Sequence, residues 1–354
     1  MINPNKPGRV RVVCHANERT GGLSLNERLY KGPDNLLNLS GVLLRLREER
    51  YAVSGDVAKM FLQVRVKPED GPALRYHWLP YGETGPPHIY QMDMQVFGLI
   101  SSPSVCTFAM RQTAIDHAEE YPGFHQEMCR SFYADNFLKS YASEKEALLE
   151  CQKMTALLKL GGFPLQQWCS NSRMIMEAFP GQLSSKPNLD LDLEGLPMER
   201  VLGLVWDCQT DEFVLTIQTG NQYPDDPDDS EDESEDPDDP EVKDRKKKKK
   251  KWSRRELLSM IGKVFDPLGL LSPLVIQLKL IFRDTKHSIS GWDQKLEKPL
   301  LVRWKQWITS LESLATLRVP RCLQPFDAKP ISTQLHAFSD ASQNAFGGCV
   351  YMRL

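Results

Sequence analysis

An α+β fold is predicted for this 354-residue chain by three features of its sequence. Short strand-like apolar runs alternate with helical stretches over the first two hundred residues, and no long linker interrupts them. A composition of 41% hydrophobic and 26% charged residues is globular, which excludes a wholly disordered, collagen-like or disulfide-scaffold protein. Length alone, at about 150 residues per domain, suggests two or three domains. The net charge is −3, but Pro224 to Lys251 holds 13 acids and 8 bases and leaves the remainder at +2, so global charge says little about partners.

The elements follow in order. RVRVV (Arg9 to Val13) reads as a strand. Leu36 to Glu49 reads as an amphipathic helix with apolar residues at 36, 39, 43 and 46. YAVSGD and FLQVRV are strand-like on either side of Asp56 to Met60, and Tyr90 to Val96 is a further strand. Ser102 to Glu120 is a helix whose Pro103 suits the first turn. In MCRSFYADNFLKSY the apolar residues flank Asp135-Asn136, which predicts a β-hairpin with these two residues at its tip. Ser143 to Gly162 carries a capping Ser143, Glu146 three residues later and Gly161-Gly162 as a stop, the signature of a helix.

Residues 1–220 thus read as one α+β region. From Tyr223 the composition breaks: PDDPDDSEDESEDPDDPE and then KDRKKKKKK hold no hydrophobic residue but Val242, so 221–251 is expected to be a disordered insertion. Its lysine run is an import signal or phosphate-binding patch, or else is neutralised by the adjacent acids. Residues 252–328 resume with two helical patterns separated by Asp266-Pro267-Leu268-Gly269, and 329–354 end as strand, turn, strand. The eight cysteines form no CxxC pair, so neither a zinc site nor a redox dithiol is legible, and reduced, buried thiols are expected. No signal-peptide core is evident, and the longest charge-free apolar run is about a dozen residues against the ~20 of a spanning helix. An intracellular protein, cytoplasmic or nuclear, without membrane contact is expected.

Two aspartates carry the chemistry. Asp56 in VSGDVAKMF and Asp135 in FYADN each sit at the end or tip of a strand-like run among bulky apolar residues. They can meet only if their strands neighbour in one sheet, and carboxylates brought together repel unless a cation lies between them. Such an oxygen site suits Mg²⁺ and phosphoryl transfer. Taken singly, either Asp is more often a turn or cap residue, and only the matching contexts of the two make the readings even.

VSGDVAKMFLQV, ALRYHW, QVFGLISSPSVCTF, RSFYADNFLKS, LKLGGFPLQQWCSN and VLGLVWD, in this order, resemble the successive motifs of reverse transcriptases of the BEL/Pao class of LTR retrotransposons. PNKPGRVRVV, SLNERLYKGPDNLLNL, RRELLSMIGKVFDPLGLLSPLVIQLK and GWDQKL resemble the flanking stretches of such polyproteins. The resemblance implies a right-hand polymerase: fingers and palm over 1–220 and a thumb-like connection over 252–328. It implies Asp56, Asp135 and the Val57 carbonyl as ligands of two Mg²⁺, with Mn²⁺ as a substitute. Phe61 would be the aromatic gate against a 2′-OH, though a core Phe is the other reading. Phe97, Gly98 and Pro103 would line the nucleotide pocket and template path, and Leu202-Gly203-Leu204 would grip the primer end. Arg75 would meet the triphosphate, or else is a surface arginine. Primer-template RNA or DNA and deoxynucleoside triphosphates are the implied partners.

Two departures matter. Relatives carry adjacent aspartates where this chain has Asp135-Asn136, so two Mg²⁺ would face −2 rather than −3, and weak or absent polymerisation is expected. His15 replaces an acid or amide and reads as a turn cap. LHAFSDASQNAFGGCVYMRL resembles the opening hairpin of a ribonuclease H domain with Asp340 as its first metal carboxylate, but the later acids are missing, so a truncated hairpin with an unpaired edge is expected. The alternative is a retroelement remnant that binds nucleic acid without chemistry, or an interaction protein working through the insertion.

Overall fold

The computed structural model describes residues 13–179, 195–215, 252–287, 291–312, 317–324 and 331–353. The charged insertion and, but for Val13, the strand expected at Arg9 to Val13 lie outside them. The chain falls into two compact units, one drawn from Met1–Glu199 with Asp207–Asp211 and Arg321–Pro325, the other from Arg200–Trp206, Glu212–Pro320 and Phe326–Leu354. The architecture is mixed α and β throughout.

In the first unit a short ribbon, β1 (Arg19–Thr20) and β2 (Leu23–Ser24), leads into α1 (Leu25–Arg28), which Ser24 and Glu27 cap reciprocally. Next, α2 (Leu39–Leu46) starts three residues later than its apolar pattern suggests, because the Asn38 side chain accepts from Gly41 N at 3.0 Å and sets the N-terminus there. The strand β3 (Tyr51–Val57) forms as expected. FLQVRV does not: Lys59 turns the backbone left-handed (φ +50°) into a 3₁₀ turn at Met60–Gln63, and only Arg65 bridges to Met94. Phe61 and Val64 then pack on the core from this turn. An exposed ribbon follows, β4 (Arg75–Trp78) and β5 (His88–Gln91), so the strand expected to run to Val96 ends at Gln91.

Pro103 sits in the first turn of α3 (Ser102–Asp116), as its position predicts. The expected long hairpin is shortened at its front by α4 (Phe124–Ser131), which leaves only β6 (Phe132–Tyr133) before β7 (Asn136–Tyr141). α5 (Glu144–Leu160) begins after Ser143 without the side-chain capping bond expected from Glu146, but ends at Gly161 with Gly162 left-handed (φ +80°). β8 (Leu165–Ser170) and α6 (Arg173–Ala178) complete the unit. The central sheet runs β6-β7-β3-β8, all antiparallel. Val53, Val57, Phe132, Phe137 and Trp168 pack beneath it with Met110 of α3 and Leu157 of α5.

Arg321 is wholly buried (0% exposed), and sequence reasoning did not single it out. Its Nε and one terminal nitrogen grip the Asp211 carboxylate at 2.7 and 2.8 Å. The remaining N–H groups donate to the carbonyls of Leu46, of Glu49 at 2.9 Å and of Arg50 at 2.6 Å. All five donors are thereby used, which is the condition for burying a guanidinium. These carbonyls lie at the C-terminal end of α2 and in the turn into β3, where the helix leaves its last acceptors without intrahelical donors.

The second sheet runs β12-β11-β10-β9, formed by β9 (Met198–Val201), β10 (Leu204–Asp207), β11 (Glu212–Leu215) and β12 (Leu317–Pro320). Three helices, α7 (Arg254–Lys263), α8 (Ser272–Asp284) and α9 (Lys298–Glu312), belong to the second unit. The break expected between the first two occurs where Asp266 accepts from Leu270 N and Leu271 N at 2.9 and 2.7 Å. Trp307 of α9 donates to Leu274 O of α8 at 2.8 Å and stacks on the buried Trp304. Finally β13 (Gln334–Ala341) pairs with β14 (Phe346–Arg353), and every residue of both strands is exposed. Of the cysteines, only Cys106, Cys151, Cys169 and Cys208 are buried; Cys349 is exposed and the rest intermediate, which corrects the expectation of uniformly buried thiols.

Replacing Arg321 with Met removes two donors from Asp211 and one from each of the Leu46, Glu49 and Arg50 carbonyls, of which Arg50 O keeps the Asn171 amide, and is expected to lower stability by about 3–5 kcal/mol, read as a reduced urea midpoint.

Candidate active site

The first unit brings Asp56 and Asp135 together through strand register. β3 is central, and Asp56 lies directly opposite Asn136 of β7 and Gln166 of β8. Opposed residues of an antiparallel pair share a face, so Asp56 and Asn136 stand on one side of the sheet while Val53, Val57 and Phe137 enter the core on the other. Asp135 occupies the turn before Asn136, and its backbone carbonyl accepts from Val57 N at 2.8 Å. Both aspartates and Asn136 are half-buried.

The hairpin tip differs from expectation by one position. Tyr133 pairs with Asn136, so the two turn residues are Ala134 and Asp135, and Asn136 is the first residue of β7. Ala134 takes φ +54°, a left-handed conformation that favours glycine. The Asn136 amide donates to the Asp135 carboxylate at 3.0 Å. An amide can do this where a second carboxylate could only repel.

Beside Asp56 the ladder bulges. Ser54 faces Cys169 and Asp56 faces Gln166, so Gln167 and Trp168 together oppose Gly55, with Gln167 left-handed at φ +56°. A Cβ on Gly55 would lie 3.3 Å from the buried Trp168 ring, which explains a glycine inside a strand. Trp168 stacks on Phe179 at 4.6 Å and meets Phe137 edge-on at 6.1 Å. The far end of β7 is anchored by Lys139, whose ammonium lies 2.8 Å from Glu127 and 2.7 Å from Glu150. Burial pulls the Lys139 pKa down, but the hydrogen bonds to Glu127 and Glu150 outweigh it and hold the ammonium above its ordinary range.

Phe61 and Phe97 meet, their rings 4.7 Å apart, so the two aromatic residues singled out in sequence adjoin. Phe61 is half-buried and also packs on the core, as the core reading expects. Gly98 has φ +106°, and a Cβ there would fall 1.9 Å from the Cys14 carbonyl oxygen. Sequence reasoning missed Asn26, which donates to Gly98 O at 3.0 Å and accepts from Ile100 N at 2.9 Å, clamping this turn. Pro103 lies just beyond, in α3.

Arg75 is not brought to the carboxylates by any described contact; it is exposed on β4 and donates to Gln91 across the ribbon at 3.2 Å. Leu202 (φ +48°) and Gly203 (φ +91°) form the tight turn between β9 and β10 in the second unit, and Leu204 begins β10. His15 is exposed at a turn, 3.3 Å from Glu18. Asp340 sits on exposed β13 opposite Gly347. Among the described residues no group of three or more His, Cys, Asp or Glu side chains converges as a metal site, and no helix is long and apolar enough to cross a membrane.

Residues 253–354 match a family described as Pao retrotransposon-like RNaseH-like domain. The C-terminal part of the chain is therefore similar to a retroelement RNase H-like domain, and the match takes in α7 to α9 as well as the terminal ribbon. No curated protein matches the chain. Among solved structures, one described as the foamy viral protease-reverse transcriptase dRH in complex with ds DNA is similar at 15% identity and a TM-score of 0.47, covering 91% of this chain and 44% of that one. The chain thus spans less than half the length of that protein.

Two left-handed positions give opposite expectations. Ala134→Gly relieves an unfavourable φ and should raise stability by about 0.5–1 kcal/mol in thermal unfolding. Gly98→Ala adds both backbone strain and a clash with Cys14 O, and should cost at least about 3 kcal/mol in the same assay.

Proposed function

We propose that the first unit is the core of a retroelement reverse transcriptase, an RNA-directed DNA polymerase of the BEL/Pao class, whose chemistry is weakened at Asn136. The observation that carries this is the register: Asp56 and Asn136 are opposed on adjacent strands with Asp135 in the adjoining turn, so residues 79 positions apart converge.

The donor set is two carboxylates and the Val57 carbonyl, all hard oxygen ligands of the kind Mg²⁺ or Mn²⁺ takes. They would hold one divalent ion more readily than the two the family uses, because position 136 supplies an amide in place of a charge. Bound there, the metal would lower the pKa of a primer 3′-OH and offset charge developing on the phosphoryl group. The chain's own contribution is to hold Asp56 and Asp135 on a rigid three-strand frame and to place Phe61 against Phe97 beside the 3₁₀ turn, where an aromatic would disfavour a 2′-OH. Nucleic-acid partnership is supported by the β4–β5 ribbon, where exposed Tyr76 and Tyr90 stack at 5.9 Å on the face that also carries Trp78 and His88, a surface suited to base stacking.

The Asn136–Asp135 hydrogen bond also favours a second reading, a fold that binds nucleic acid without catalysis, since the amide occupies an oxygen a metal would need.

Primer extension on an RNA template with Mg²⁺ or Mn²⁺ separates the two. Under the polymerase reading the chain extends weakly, Asn136→Asp extends at least about tenfold faster, and Asp56→Asn abolishes both. Asn136→Asp should also lower the melting temperature in EDTA and recover it with Mg²⁺, since two adjacent carboxylates repel until a cation joins them. Extension absent in both chains, with no metal-dependent shift in the variant, would overturn the polymerase reading.

A further inference from the structure

Two buried thiols meet in the first unit. Cys169 on β8 and Cys208 in the turn after β10 hold their sulfurs 3.0 Å apart, and each is 1% exposed. They are 39 positions apart in sequence, so no local motif announces the pair. Cys106 and Cys151 are equally buried but have no second cysteine beside them among the described residues.

Backbone restraints hold both partners. Cys169 is registered opposite Ser54 of β3, and the next residue, Ser170, donates its hydroxyl to Ala52 O at 2.7 Å. Cys208 N donates to Pro197 O at 3.1 Å, and the Asp207 carboxylate accepts from Gln209 N and Thr210 N at 3.1 and 3.3 Å. Three residues beyond Cys208, Asp211 is gripped by buried Arg321. The approach of the sulfurs is therefore set by a strand and by a doubly anchored turn rather than by freely rotating side chains.

We propose that Cys169 and Cys208 are a peroxide-oxidisable dithiol that closes to a disulfide, joining the strand beside Asp56 to the 207–211 turn. One thiolate attacks the O–O bond of hydrogen peroxide, forming an S–O bond and releasing hydroxide, which leaves as water on protonation. The second thiol then attacks the sulfenic sulfur; the S–S bond forms, the S–O bond breaks, and the thiol proton departs with the hydroxide as a second water. Two electrons leave the sulfurs and reduce peroxide to water. Burial pushes the Cys208 thiol well above its ordinary range, so thiolate is scarce and closure is slow, but a neighbouring thiol intercepts the sulfenic acid before further oxidation. An isolated buried thiol such as Cys106, which burial raises to about 12, has no such partner.

The test treats the full reduced chain with hydrogen peroxide under native conditions, then unfolds and alkylates it for intact mass and peptide mapping. The expected result is loss of two alkylatable thiols and two hydrogens per chain, a cross-linked peptide pair containing Cys169 and Cys208, and reversal by dithiothreitol. Cys106 and Cys151 should stay alkylatable. In Cys208→Ala the cross-link disappears and Cys169 no longer forms an intramolecular disulfide. Recovery of Cys169 and Cys208 as free thiols while exposed Cys349 oxidises, conversion of either to sulfinic acid without a cross-link, or pairing of either with another cysteine would each overturn the proposal. The mapping of the unsubstituted chain decides the matter even if the alanine variant fails to fold.

Discussion

The antiparallel register of β3 against β7 and β8 is the constraint on which the first unit depends. Side chains alternate between faces with a period of two, so a slip of one residue would carry Val53, Val57 and Phe137 out of the core and turn Asp56 into it. Burying each of those apolar side chains stabilises the fold by about 1.5–3 kcal/mol, and an unpaired carboxylate in their place would add a penalty of several more. The packing that selects the register also determines which side chain faces Asn136. The proposed metal site is thus a by-product of core packing, inherited from residues that touch no substrate.

That site sits among local departures from ideal geometry. Ala134 is left-handed, Gln167 is left-handed within a bulge, and Lys59 is left-handed where β3 gives way to the 3₁₀ turn bearing Phe61. All three adjoin Asp56 or Asp135 in sequence or across the ladder. Each costs about 1–3 kcal/mol and persists because the surrounding sheet and the Trp168 cluster over-determine the backbone. The Asn136 amide adds a compensation of its own, meeting the Asp135 carboxylate with a donor. In the absence of a cation this relieves the repulsion that a paired acid would bring, and it does so by occupying the coordination capacity that a cation would use.

A different device secures the path of the chain. Residues 207–211 and 321–324 belong to the first unit although their neighbours in sequence belong to the second, and they bring Asp211 and Arg321, which share two of the five guanidinium hydrogen bonds. Exposed ion pairs such as Arg255 with Asp293, where both side chains are more than half exposed, contribute little by comparison because water and salt screen them. The Arg321–Asp211 pair is costly to break because the wholly buried Arg321 cannot return to solvent without opening the turn between α2 and β3.

Sequence by itself determined the mixed α and β character, the helix at Ser102, the stop at Gly161-Gly162 and the strand ending near Asp56, because these follow from apolar period and turn chemistry within a dozen residues; that the Asp135 turn lies beside Asp56 was decided by the register of β3 against β7. It also led to Phe61 and Phe97, whose rings proved to adjoin. It misplaced the hairpin tip by one residue and read FLQVRV as a strand, since a left-handed Ala134 or Lys59 is contrary to local preference and is imposed by what surrounds it. Arg75 was chosen on type alone, and a cation on an exposed ribbon carries no mark of what it will meet. Asn26, Arg321 and the Cys169–Cys208 contact were decided only by tertiary structure. Each joins positions tens to hundreds of residues apart, and hydrogen bonds or sulfur contacts across such separations leave no periodic trace in the chain that makes them.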